Sequence, residues 1–384
     1  TIYFTTVIVL VLSIIGVYQI KVSGSLIEDM PKSMGFYKDI KFFEKEFGGI
    51  MPLEILVDTK KEKGVMKLSV LKKMEKINET IVSFPELSKP ISVVNLVKYS
   101  KQAYYKGNPK YYQLPTGQEQ SYIFSYTKNS NSDAGMLKNF VDSTGRYARI
   151  TTFMKDIGTD KMDVIQERLK AVINKEFPEE KYNVSITGKA LVFIKGTNYL
   201  ITNLIFSLSL AIILIALFMA WMFRSPQMIL ISLLPNILPL LITAGLMGFF
   251  DIPIKPSTIL VFSIAFGISV DDTIHFLAKY RQELIANKWK IKPSVYAALR
   301  ETGVSMFYTS IVLFFGFLVF TLSSFGGTIA LGGLVSITLL LAMVSNLLLL
   351  PSLLLTFEKK IANQKVFKEP KMKIIPPKEE KIEQ

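Results

Sequence analysis

Long runs of apolar residues, separated by short polar breaks, dominate the pattern of the chain. One run covers residues 2–20, and no charged side chain occurs in the 56 positions from residue 302 to residue 357. At 1.5 Å per residue, this second stretch is far too long for one crossing of a hydrocarbon core about 30 Å thick, so a break is predicted at 323–327. The pattern predicts a polytopic α-helical membrane protein with six spans, at 1–20, 198–223, 228–249, 258–278, 303–322 and 329–356.

A polar block, residues 21–197, is inserted between the first predicted span and the other five. Its alternation of β-branched runs with helical patterns, closed by a return strand, predicts a ferredoxin-like α/β domain. Residues 98–131 are too irregular to assign, and Thr159 is predicted to be the N-cap of the last helix of the block. The predicted strands are 51–57, 150–153 and 183–187, and the predicted helices are 36–47, 65–84 and 160–177.

The positive charges of the loops predict the orientation in the membrane. Arg224, residues 279–300 and the C-terminal tail are rich in lysine and arginine, whereas the opposite loops carry Lys255 against Asp251 and no charge at 323–328. The positive-inside rule places the basic side in the cytoplasm. Residues 21–197 are therefore predicted to be extracytoplasmic in a cell (inner) membrane protein, with 279–302 and 358–384 cytoplasmic.

Predictions can also be made for three further segments: the start of the chain, residues 280–299 and the C-terminal tail. The chain begins with Thr1 and enters its first span without a basic flank or a cleavage site, so we expect upstream sequence. Residues 280–299 mix apolar and basic side chains, which is typical of an amphipathic segment on the inner leaflet or of a simple topology anchor. The tail at 358–384 is rich in lysine, glutamate and proline and is predicted to be disordered.

Composition excludes several classes of site. A net charge of +14 would suggest nucleic acid as the partner of a soluble protein, but the basic cytoplasmic loops account for it, and no nucleic acid is expected. The lysines and tyrosines at 101–112 are read as an extracytoplasmic surface loop. With no cysteine and one histidine, no metal cluster is expected. No nucleotide loop or nucleophile–base pair is evident, so we expect no enzyme activity and no cofactor.

Two adjacent acids interrupt the third of the five later spans. Asp271 and Asp272 follow 15 uncharged positions, 256–270, and apolar residues resume after them. One acid at mid-membrane costs roughly 2.5–3.5 kcal/mol on insertion scales, so a pair predicts a function. Two carboxylates in such a site cannot both be charged cheaply, and they should titrate as a unit. The pair is therefore predicted to form a proton relay, against the alternative of a static polar contact between helices.

Helix geometry assigns neighbours to the pair. Residues four apart share a face, so Ser263, Gly267, Asp271 and His275 form one stripe, on which Gly267 is predicted to serve close helix packing. His275 is a candidate for holding a proton or pairing with an acid. Support for the relay from the next span is predicted at Tyr308, Thr309 and Ser310, unless these hydroxyls bond back to their own helix. Pro235 and Pro239 are expected to kink their span, and Asn346 to join helices.

The stretch from Gly267 to Leu284, GISVDDTIHFLAKYRQEL, resembles the GxxxDD segment of the RND superfamily, in its branch of MMPL, Patched and hopanoid-exporter proteins. The sequences YTSIVLFFGF at 308–317 and NLLLLPSLL at 346–354 resemble the following span and the end of the last span. One span, a large extracytoplasmic domain and five further spans are also that family's half-repeat. The resemblance implies a transporter driven by the proton gradient that moves lipids or other hydrophobic molecules.

Members of that branch have two such halves, whose fourth spans meet at the centre. The resemblance therefore implies that this chain is a C-terminal half, whose partners are the missing N-terminal half or a second copy, besides the substrate and the membrane lipids. Two alternatives stay open. Sterol-sensing domains share the five-span block and sense lipid without transport, and protein-export accessory subunits share the superfamily. The latter carry an Asp-Ala-Asn signature that residues 267–280 do not match.

Overall fold

The computed structural model describes residues 2–22, 27–129, 137–223 and 225–356. Two compact units make up the chain: Val22–Tyr199 is one, and Thr1–Lys21 with Leu200–Gln384 is the other. The boundary at Leu200 lies inside a long helix. Arg224 and the tail predicted to be disordered, 358–384, lie outside the described residues.

Apolar helices build the membrane unit. They are α1 (Ile2–Val17), α7 (Lys189–Phe223), α8 (Pro226–Phe249), α9 (Pro256–Ala286), α10 (Ile291–Leu318), α11 (Gly326–Val344) and α12 (Leu350–Thr356). A 3₁₀ turn, Val319–Leu322, extends α10, and a π segment, Ser345–Leu349, joins α11 to α12. The predicted break at 323–327 is observed, since α11 begins at Gly326.

Five helices of the described chain are long and apolar enough to cross a membrane: α7, α8, α9, α10 with its 3₁₀ turn, and α11 through α12. The sixth predicted span, α1, has 16 described helical residues. At 1.5 Å per residue it is about 24 Å long, which is shorter than a hydrocarbon core. A sixth crossing therefore stays a prediction.

Two helical regions of the structure extend beyond the spans predicted from the sequence. The span predicted from residue 198 belongs to a helix that already begins at Lys189, because Gly188, at φ 108°, turns the chain directly from strand into helix. Residues 280–299 are helical except for a short turn at 287–290. They are the last turns of α9 and the first turns of α10, and Tyr280, Leu284, Ile291 and Val295 are buried in the helical core.

The other unit contains a three-stranded antiparallel sheet in the order β2-β1-β3. Its elements are α2 (Gly35–Phe47), β1 (Met51–Asp58), α3 (Leu68–Val82), α4 (Val93–Tyr104), α5 (Gln120–Asn129), β2 (Tyr147–Met154), α6 (Thr159–Glu176) and β3 (Asn183–Thr187). The inward side chains of β1, Leu53, Ile55 and Val57, pack with α3 and α6 in one core. All three predicted strands are confirmed.

A ferredoxin-like fold requires a fourth strand. Residues 87–91 occupy the place beside β2, but they make only isolated bridges, Leu87 to Met154 and Ile91 to Thr151. Pro90, which has no N–H to donate, lies between these bridges. The described sheet therefore has three strands, and the ferredoxin-like assignment stays a proposal.

The structure corrects one other reading of this unit and describes the stretch that was not assigned. Gly158, not Thr159, is the N-cap of α6, and Thr159 is its first residue and caps nothing. Residues 98–131, which were not assigned, contain the end of α4, a 3₁₀ turn at Pro109–Tyr111 and α5. Their tyrosines stack on one another, Tyr105 on Tyr111 at 4.1 Å, and Lys101 is buried against Glu119. Most of the side chains at 101–112 are exposed, as expected for a surface segment, and Lys101 with the stacked tyrosines holds this segment against α5.

Candidate functional site

The acid pair lies in α9, which packs against α8, α10 and α11. Its apolar residues Val261, Phe262, Ala265 and Phe266 are buried against these neighbours. The two carboxylates project from this helix about 100° apart, so they enter different surroundings.

Asp271 lies on the side of α9 that no other part of the described chain covers. The stripe Ser263, Gly267, Asp271 and His275 is exposed along its whole length. The Asp271 Oδ1 and His275 Nε2 atoms are 3.4 Å apart, and the two side chains are 71% and 73% exposed. A Cβ added at Gly267 would meet nothing within 4 Å. The packing role of Gly267 therefore stays a prediction, since it needs a surface that the described residues do not supply.

Asp272 is half-buried where α9 packs against α10, and Ser310 is the hydroxyl of α10 that faces its carboxylate. Ser310 is itself buried, at 4% exposure. The other two hydroxyls predicted to assist do not join this contact: Thr309 donates to the Ser305 and Met306 carbonyls of its own helix, and Tyr308 is 65% exposed. The structure thus brings together Asp272 with Ser310 and Asp271 with His275.

A buried polar cluster begins one residue after Asp272. Thr273 Oγ1 lies 3.0 Å from Asn236 Oδ1 of α8 and 2.9 Å from Asn346 Oδ1 of the π segment, and Ser269 Oγ donates to Asn236 Oδ1 at 2.7 Å. All four side chains are at most 2% exposed. Asn346 was expected to join helices, and it does. Asn236 and Thr273 were missed, although an asparagine between two prolines in an apolar span was a signal.

The sheet unit contains a large cleft of its own, about 1070 Å³ in volume. One wall is the aromatic face of α2, with Phe43 and Phe47, and the other is formed by the segment from Leu87 to Ile91 and by residues 48–50, which precede β1. Ligand pockets in proteins usually measure roughly 300–1,000 Å³, so the cleft is large enough for a small hydrophobic molecule. The sequence alone did not identify these residues.

Comparison with known proteins identifies the family of the chain. The model of the MMPL family matches residues 66–373, which is most of the chain and includes the carboxylate helix. The chain belongs to the MMPL family. Membership confirms the resemblance drawn from the motif at 267–284. It also identifies a membrane protein from a superfamily of transporters and sensors.

A curated relative points the same way. Membrane protein MJ1562 of Methanocaldococcus jannaschii is 29% identical over 156 residues, which cover 41% of this chain and 40% of that protein. The match thus spans about two fifths of the relative's length. Its name states that it is a membrane protein and assigns no substrate.

Proposed function

We propose that this MMPL-family chain is half of a proton-driven exporter that moves lipids or other hydrophobic molecules out of the cell membrane. Asp271 and Asp272 carry the protons, His275 and Ser310 assist them, and the cleft beside α2 receives the substrate. The observation that carries the proposal is a carboxylate pair in the middle of a 31-residue apolar helix, with one acid half-buried against the next span and the other on an uncovered face.

Two different surroundings suit a proton carrier. Asp272 exchanges its proton beside a hydroxyl that can donate to the charged form, while Asp271 exchanges beside the one imidazole of the chain. A membrane potential supplies about 2.3 kcal/mol per charge per 100 mV, so one or two protons suffice for a conformational cycle of a few kcal/mol.

The uncovered face of α9 requires a partner in the membrane. A carboxylate facing hydrocarbon is strongly unfavourable, so Asp271 and His275 must be covered by protein or line a water-filled path. The proposed cover is the other half of the transporter, or a second copy of this chain. Gly267 then provides the close approach for the covering helix.

The proposal is tested with the natural protein in vesicles that contain the pH-sensitive dye pyranine. An imposed pH gradient with a potassium–valinomycin potential should produce proton flux, and Asp272→Asn or Asp271→Asn should reduce it at least about 100-fold, in the range typical of lost proton-transfer groups. Asp251→Asn is the matched control, since Asp251 is 70% exposed and pairs with Lys21 at a helix end.

The outcomes separate the candidate functions. Wild-type flux that depends on Asp271 and Asp272 but not on Asp251 supports the exporter. Flux equal to that of the wild type in both carboxylate variants would contradict the proton relay. Binding of fluorescent lipid without any proton flux would instead favour a lipid sensor built on the same spans.

A further inference from the structure

In the buried cluster that follows Asp272, the number of hydroxyl donors limits which hydrogen bonds can form at the same time. Asn236 Nδ2 donates to the Ser232 carbonyl at 2.7 Å, and Asn346 Nδ2 donates to the Ser269 carbonyl at 3.2 Å. If the Oδ1 and Nδ2 atoms of either amide were exchanged, Oδ1 would lie at these distances from a carbonyl oxygen, and neither atom could donate. Both amide oxygens are therefore fixed towards Thr273 Oγ1.

The Thr273 hydroxyl has one proton for three acceptors: these two amide oxygens and the Ser269 carbonyl of its own helix, which is 3.2 Å away. Asn236 Oδ1 also accepts from Ser269 Oγ at 2.7 Å, so it is satisfied without Thr273. When Thr273 donates to Asn346, both amide oxygens have a donor. When Thr273 turns to Asn236, Asn346 Oδ1 loses that donor inside a dry site, which is unfavourable. The arrangement in which Thr273 donates to Asn346 is therefore favoured over the other two.

The helices that hold these acceptors are irregular at the same level. Pro239 has no N–H, so the Pro235 carbonyl lacks its helical donor, and Ser345 Oγ donates to it at 2.9 Å instead. Ser345 and Asn346 begin the π segment, which Pro351 follows one turn later. Proline kinks and π segments are where helices bend. Both elements that face Thr273 can thus move relative to α9.

We propose that Thr273, Asn236 and Asn346 are positioning residues that set the rotation of α9 and so hold the Asp272 carboxylate at Ser310. This inference rests on the proton-carrying role proposed above. Since Thr273 follows Asp272 directly, one rotation of α9 that moves the carboxylate away from Ser310 also moves the hydroxyl away from Asn346. A change of protonation at Asp272 is thereby transmitted to α8 and to the last span.

The test compares two buried hydroxyls in the natural protein. Thr273→Val keeps the shape of the side chain and removes the donor, and Asn346→Leu removes the acceptor. Thr243→Val is the matched control: it breaks the 2.6 Å contact between Thr243 and Thr338, which joins α8 to α11 without involving α9. In the pyranine assay, the first two variants should lose about tenfold in flux, equivalent to about 1.4 kcal/mol, and show a shifted pH profile. Thr273→Ser keeps the hydroxyl and should therefore show the flux and the pH profile of the wild type.

A second measurement reports on helix position without requiring flux. The chain has no cysteine, so spin labels can be placed at Leu230 of α8 and Ile285 of α9, both exposed. Thr273→Val should broaden the distance distribution between the labels, whereas Thr243→Val should leave it narrow.

The outcomes distinguish the two proposals. One outcome would overturn the positioning role and leave the exporter intact. In it, Asp272→Asn loses flux, whereas Thr273→Val keeps the wild-type pH profile and a narrow distance distribution. Absence of proton flux in the wild type would overturn the exporter, and the distance measurement would still decide whether Thr273 positions α9. If Thr243→Val broadened the distance distribution as much as Thr273→Val does, the cluster would have no role beyond ordinary packing.

Discussion

At the scale of single residues, the ion pair of Lys101 and Glu119 shows how burial decides the effect of a charge. Lys101 Nζ is 2.7 Å from Glu119 Oε2, and the side chains are 2% and 15% exposed. The Lys101 ammonium, together with the Thr116 N–H, lowers the pKa of Glu119 to about 2. Because the folded-state pKa is depressed, the stabilisation is complete above the ordinary value of 4.5 and is lost as pH falls from there through about 2.

The two partners should respond unequally to substitution. Glu119→Gln leaves the ammonium of Lys101 buried without a counter-charge and should cost roughly 3–5 kcal/mol, whereas Lys101→Met leaves a carboxylate that still accepts from Thr116 and Tyr105 and should cost less. Denaturant unfolding at pH 7 and pH 3 measures both effects. The exposed pair of Lys21 and Asp251 is the control, where loss of one partner should cost at most about 1 kcal/mol. A larger cost for Lys101→Met than for Glu119→Gln would contradict this account.

At the scale of elements, glycines determine how α1 meets α8. A Cβ at Gly248 would lie 1.8 Å from the Gly16 carbonyl oxygen, and one at Gly245 would lie 2.6 Å from the Ser13 Cα. These neighbours are backbone atoms, which cannot rotate away. Gly248→Ala should therefore separate the helices and cost about 1–3 kcal/mol, as overpacking does. Gly316→Ala in α10, where a Cβ meets nothing within 4 Å, is the control. Thermal unfolding in detergent should show a lower midpoint for Gly248→Ala alone.

The elements also show what the sequence could and could not predict. Run lengths of apolar residues located the membrane helices and the turn before Gly326, since hydrophobic thickness constrains both. The start of α7 at Lys189 was missed because the polar residues 195–198 interrupt the apolar run without breaking the helix. Thr159 looked like a cap, but the chain enters the helix at Gly158. The π segment has no sequence signal of its own, because it depends on the contacts of Ser345 and Asn346 with α8 and α9.

The candidate site was predictable to the same degree. The carboxylates, His275 and Asn346 stood out because polar residues are rare in apolar spans. Choosing Ser310 over Thr309 and Tyr308 needed the rotation of α10, which the almost uniformly apolar sequence around these residues does not specify. The partners of Thr273 lie 37 and 73 positions away, so no local pattern could reveal them.

At the scale of the whole molecule, the exposed stripe of α9 predicts how copies or halves assemble. We expect a spin label on Ser263→Cys, in the natural protein with any further cysteine replaced, to be immobilised because a partner helix covers it. A label on Val312→Cys of α10, where the side chain is 70% exposed, should be mobile and serves as the control. A disulfide dimer through position 263 on a non-reducing gel indicates a second copy across a twofold axis, since such an axis brings like residues together. Immobilisation without a dimer indicates the other half of one polypeptide. Equal mobility at both positions would leave Asp271 facing lipid, which its desolvation cost does not allow for a working carrier.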